Sequence, residues 1–85
     1  MDSEPLVRAI IAALMVFENA SDSEIDPDVA VRGMESITGE ISGLEEGDRA
    51  ELLRIISRIG SSEGDSSIKN FVEGLPFMIG LDSGA

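Results

Sequence analysis

The stretch that most constrains this chain is Leu6 to Phe17, LVRAIIAALMVF, in which Arg8 is the only residue that is not apolar. A helix that is apolar on nearly every face needs cover on nearly every face. At twelve residues it is shorter than the roughly 20 needed to cross a bilayer. The stretch therefore predicts the central helix of a small bundle, with later helices packed around it. Ser3 is placed to cap its start, Pro5 suits its first turn and Glu4 faces the positive end of its dipole. The helix is expected to end near Asn19.

Three more helices follow from pattern. ASDSEID, residues 20–26, is polar and reads as a loop. Asp26-Pro27-Asp28 is a helix start, with Asp26 as cap and Pro27 in the first turn. The second helix then runs from Pro27 to about Gly43, with Ala30, Met34, Ile37, Ile41 and Leu44 recurring every three or four residues as an apolar seam. Gly33, Ser36, Glu40 and Gly43 fall on an adjacent face. There, and at the GxxxG-spaced pair Gly39 and Gly43, close packing onto the first helix is expected. The junction Glu45 to Asp48 is short enough to predict an antiparallel hairpin with a third helix over Glu46 to Ile59. Leu52, Leu53, Ile55, Ile56 and Ile59 form its apolar face, and Gly60 is its expected C-cap. After the loop SSEGDS, Asp65 or Ser66 caps a short fourth helix carrying Ile68, Phe71, Val72 and Leu75, which Gly74 and Pro76 should stop. Phe77, Met78, Ile79 and Leu81 then form an apolar tail, read as a lid over the core, with an exposed patch as the alternative. Of Phe17, Phe71 and Phe77, at least two are expected in the core. Asp82 to Ala85 are expected to fray. The fold class is thus all-α, a single up-and-down bundle of four helices over residues 1–85.

Composition removes most chemistry. Seventeen acids against six bases give a net charge of −11, which opposes nucleic acid and anionic membrane as ligands, because both call for a basic face. There is no Cys, hence no disulfide or thiolate, and no His, the commonest general base and metal ligand. Serines therefore lack a histidine to activate them, and Lys69 stands alone. The acids Asp22, Glu24, Asp26 and Asp28 alternate as in a calcium loop. An EF-hand starting at Asp22 would need Gly at 27 and Glu at 33, where this chain has Pro27 and Gly33. The reading is a non-enzymatic protein without cofactor or metal. Asp2 and Glu4 stand where a secretory signal needs positive charge, so a cytoplasmic location is expected.

What the charge permits is a basic protein partner, since opposite potentials speed encounter and fix orientation. In an alternating bundle the first and third connections share one end. The expected partner-binding rim there is Glu18, Asp22, Glu24, Asp26 and Asp28 with Glu63 and Asp65. The segment DPDVAVRGMESITGEISGLEEGDRAELLRIISRIG, residues 26–60, is an acidic helical hairpin. With the chain's length and charge, it resembles the small acidic all-α immunity proteins of bacteria. That resemblance implies an inhibitor that neutralises a co-encoded basic toxin, often a nuclease, by covering its active site or an adjacent surface. The colicin nuclease immunity proteins bind through a pair of tyrosines, and this chain has no Tyr, so no site residue carries over. The alternative is a structural or regulatory module that forms a homodimer through apolar surface on the first helix or the tail.

Overall fold

A computed structural model describes residues 2–81, and the fraying expected of Asp82 to Ala85 lies outside the described residues. The chain forms four helices: α1 (Glu4–Asn19), α2 (Pro27–Ser42), α3 (Glu46–Ser62) and α4 (Ser66–Met78). The all-α, four-helix architecture is the one the periodicity predicts. Two sequence-adjacent pairs run antiparallel. Phe17 near the end of α1 lies on Gly33 near the start of α2. Gly60 late in α3 meets Val72 of α4, while the Arg49 guanidinium at the start of α3 donates to the Gly80 carbonyl just past α4 at 3.1 Å. A third pairing, α1 with α3, joins the two hairpins.

One apolar cluster fills the centre. It comprises Val7, Ile11 and Leu14 from α1, Ile41 from α2, Leu52, Ile55, Ile56 and Ile59 from α3, and Val72, Leu75, Ile79 and Leu81 from the last segment. The seam on α2 packs inward as its spacing predicts, with Met34 and Ile37 against this cluster, but Leu44 at its end stays 37% exposed. Phe71 packs against the cluster, Phe17 is half-buried and Phe77 is exposed, so no phenylalanine is fully buried.

Several local expectations are corrected. Helix α1 is not covered on every face. Its main partners are α2 and α3, whereas α4 packs mainly on α3 and only borders α1. The outer side of α1, with Leu6, Ala9, Ala12 and Val16, is therefore left exposed. Ser3 does not cap α1, because its own backbone is already helical (φ −83°, ψ −10°). Capping geometry calls for an extended residue, and it is the Asp2 carboxylate that accepts from the Glu4 N–H at 3.0 Å. The expected α2–α3 hairpin is not a packed one: the principal pairings are α3 with α4, α1 with α2 and α1 with α3.

Gly60 does not end α3. It sits buried inside the helix with Val72 Cγ1 3.4 Å from where a β-carbon would stand, so its smallness serves the approach of α4. Nor do Gly74 and Pro76 stop α4, which runs on to Met78. Pro76 gives up one helical hydrogen bond to Val72. The helix closes four residues after Pro76, where Gly80 adopts φ +76°, the Gly80 N–H donates to the Phe77 carbonyl and the Leu81 N–H donates to the Pro76 carbonyl at 2.8 Å. This is a Schellman closure, with glycine at its left-handed position and Leu81 turned into the core. The tail is thus a lid on one side, through Leu75, Ile79 and Leu81, and an exposed patch on the other, through Phe77 and Met78.

Close packing between α1 and α2 falls on Gly33, not on the Gly39/Gly43 pair. A β-carbon at Gly33 would stand 2.6 Å from the Phe17 ring, whereas at Gly39 it would meet nothing within 4 Å. Opposite outcomes are expected from adding a side chain at the two glycines. Gly39→Ala should raise the free energy of unfolding in urea by about 0.5–1 kcal/mol, since alanine is the better helix former. Gly33→Val should lower it by about 1–3 kcal/mol, because the ring must be pushed off the helix.

Candidate functional site

The acids of the expected rim sit at the ends of the four helices and in the first and third connections, and several have local structural work. Asp26 caps α2, accepting from the Asp28 N–H at 2.8 Å. Asp65 caps α4, accepting from the Ser67 and Ile68 N–H groups at 2.9 and 3.0 Å. Glu63 accepts from the Asp65 N–H at 3.1 Å. Glu24 folds the first loop onto itself, accepting from the Ser21 N–H at 3.0 Å and the Ser21 hydroxyl at 2.9 Å. Glu18 lines a hollow with Val31, Glu35 and Thr38 of α2 and Met78 of α4. The side chains of Glu18, Asp22 and Asp28 take no part in a hydrogen bond or ion pair among the described residues, which leaves them available to a partner.

The two halves of the rim have different neighbours. Glu63 borders a hollow lined by Arg8, Ala12 and Met15, so the third connection lies against the middle of α1 and beside a base. Glu18 to Asp28 belong to the far end of α1 and the start of α2. Among the described residues, no hydrogen bond or ion pair links the two groups, and no three acids converge closely enough to hold a metal ion.

Glu24 is the one group among the described residues whose titration is clearly displaced. The Ser21 N–H, and secondarily the Ser21 hydroxyl, hold its carboxyl below the usual glutamate range. A depressed folded-state value means the loop's stabilisation is present above the ordinary glutamate range and is lost as pH falls through the folded value. An NMR titration of the side-chain carboxyl is expected to place Glu24 below the ordinary glutamate range. Ser21→Ala should recover part of the shift, because the backbone donor remains.

A feature the helix-by-helix reading missed is how unevenly charge is spread. Between Glu18 and Asp48 the chain carries ten acids and one base, Arg32, so −9 of the net −11 lies between the last turn of α1 and the first turn of α3. A running charge count along the sequence would have found it. The bases are grouped elsewhere, on α1, α3 and α4. The two ion pairs among the described residues both use Glu4, to Arg8 at 3.6 Å and Arg58 at 3.1 Å. The acid-rich stretch therefore carries almost uncompensated charge on exposed side chains.

The same stretch borders an open groove. Where the first turns of α1, the end of α2 and the start of α3 come together, Val7, Ile10, Ile41, Leu44, Leu52 and Ile55 line a hollow of about 350 Å³. Glu40, Asp48 and Glu51 stand around it. The short α2–α3 junction, expected to give an antiparallel hairpin, leaves this gap open between the two helices. No helix among the described residues is long and apolar enough to cross a membrane. What the fold and sequence define is an acidic all-α four-helix protein whose negative charge is concentrated between Glu18 and Asp48. No protein-family model, curated protein or solved structure compared with the chain matches it.

Proposed function

We propose that this protein works by binding, as a cytoplasmic inhibitor of the bacterial immunity type, and that it neutralises a basic toxin or enzyme through its acidic side. The observation that carries this reading is the concentration of −9 of the net −11 between Glu18 and Asp48, where those acids form no ion pair among the described residues. Capping explains Asp26, and a loop contact explains Glu24. Neither accounts for Glu18, Asp22 or Asp28. Like charges this dense repel each other and cost the fold stability, and a partner of opposite charge would relieve that repulsion.

The test is a pull-down from the source cell with the tagged protein, washed at low and high salt. One basic protein should be retained at low salt and shed at high salt, because exposed charges are screened beyond about 10 Å at 0.1 M. Reversing Asp22 and Asp28 to Lys should weaken its recovery tenfold or more, and neither residue caps a helix through its side chain. Recovery indifferent to both salt and charge reversal would sink the reading.

A second reading rests on the tail. Phe77 is 76% exposed beside the partly exposed Met78, more apolar surface than a lid needs. If that patch pairs two copies, sedimentation should show a dimer insensitive to salt and dissociated by Phe77→Asp.

A further inference from the structure

The groove between α1, α2 and α3 points to a more specific mode of binding than charge alone. We infer that it docks an amphipathic basic segment of the partner, with apolar side chains seated in the hollow and Lys or Arg side chains on its acidic border. This rests on the basic-partner reading above and adds where the partner is held and by what chemistry.

Three observations carry it. The walls are apolar, built from Val7, Ile10, Ile41, Leu44, Leu52 and Ile55, and the hollow of about 350 Å³ equals roughly a dozen waters at about 30 Å³ each. That is room for more than one side chain, as an amphipathic helix presents from successive turns. The border charges are all of one sign, Glu40, Asp48 and Glu51, and Glu45 and Glu46 adjoin them in sequence. Arg54 and Arg58 border a neighbouring hollow that shares Ser3, Glu51 and Ile55 with the groove, and the guanidinium of Arg49, next to Asp48, donates to the Gly80 carbonyl. Finally, Leu44 is 37% exposed at the end of a seam whose other members pack inward, so the groove keeps an apolar wall open to solvent.

The other occupants fit less well. A second copy would bring its own −11 to an acidic border. A small apolar molecule would leave the three border acids unused.

The experiment follows the amide spectrum of the 15N-labelled protein at low salt during titration with two synthetic peptides. One is an 18-residue amphipathic helix of Leu and Lys. The other has every Leu replaced by Ser and keeps the charge. With the Leu–Lys peptide, shifts are expected to centre on Val7, Ile10, Leu44 and Asp48. The Ser–Lys peptide should bind at least tenfold more weakly. Leu44→Gln and, separately, Asp48→Lys should each lower affinity for the Leu–Lys peptide by tenfold or more, and both positions are exposed enough to leave the helices intact, as the dispersion of the free spectrum will report. If both peptides bind equally, or the shifts centre on Asp22 to Asp28, the groove is not the dock although the basic-partner reading stands. If neither peptide binds at low salt, both ideas fall. A dimer that Leu44→Gln dissociates would assign the groove to a second copy and overturn the proposal.

Discussion

Leu14→Ala is expected to cost about 3–4 kcal/mol, one of the two largest losses any single change should produce here. Leu14 is 0% exposed, near the middle of α1 and inside the one apolar cluster. Truncation removes its transfer free energy and leaves a cavity that a close-packed core closes only in part. Domains of this size hold on the order of 5–10 kcal/mol in total, so much of the margin would go. A midpoint drop of roughly 15 °C or more is expected in a thermal melt followed by circular dichroism. The control is Leu6→Ala on the same helix. Leu6 is 53% exposed, and its loss should stay within about 0.5 kcal/mol. Equal losses at the two positions would mean that the outer face of α1 is covered in solution, which in turn would favour the self-associating reading.

The second large effect is expected at Gly60, where two substitutions should part company. Gly60 lies buried where α3 meets α4, with Val72 Cγ1 at 3.4 Å and Glu73 Cγ at 3.5 Å from an added β-carbon. Those are ordinary contacts, so Gly60→Ala should be tolerated and gain up to about 1 kcal/mol of helix propensity. Gly60→Leu has nowhere to go. It must prise α4 from α3 at the contact that also seats Val72, and a loss of about 3 kcal/mol is expected. Urea unfolding of the two variants decides the matter. If Leu is tolerated as well as Ala, the α3–α4 seam is looser than described.

Elements carried by periodicity and capping chemistry were legible in the sequence. Asp26 and Asp65 cap the helices they precede, and the apolar positions of α3 and α4 face inward as their spacing requires. What misled were residues whose meaning depends on their surroundings. Gly60 reads as a helix stop, yet here it is the thin place in a helix that lets a neighbour approach. Pro76 reads as a helix end, but so close to the terminus it forfeits only one hydrogen bond, and Gly80 supplies the true stop. The apolar run of α1 announces burial without saying how many helices will cover it, and α4 chose α3. On the binding side, the acids were visible one by one. Their concentration between Glu18 and Asp48 needed a charge count across element boundaries. The groove needed coordinates, because a three-residue junction between α2 and α3 says nothing about whether the helices close behind it.

The pairing of helices also bears on how the chain reaches this state. Two of the three main pairings, α1 with α2 and α3 with α4, join sequence neighbours, and each closes over a short loop. Loop-closure entropy for such pairs is small. The remaining step is the docking of α1 on α3, which joins two units already able to collapse locally. A topology so rich in local contacts has a low relative contact order and belongs among the microsecond-to-millisecond folders. The acid-rich loop and α2, held mainly through α1, are the part that such a chain can release and recapture most cheaply.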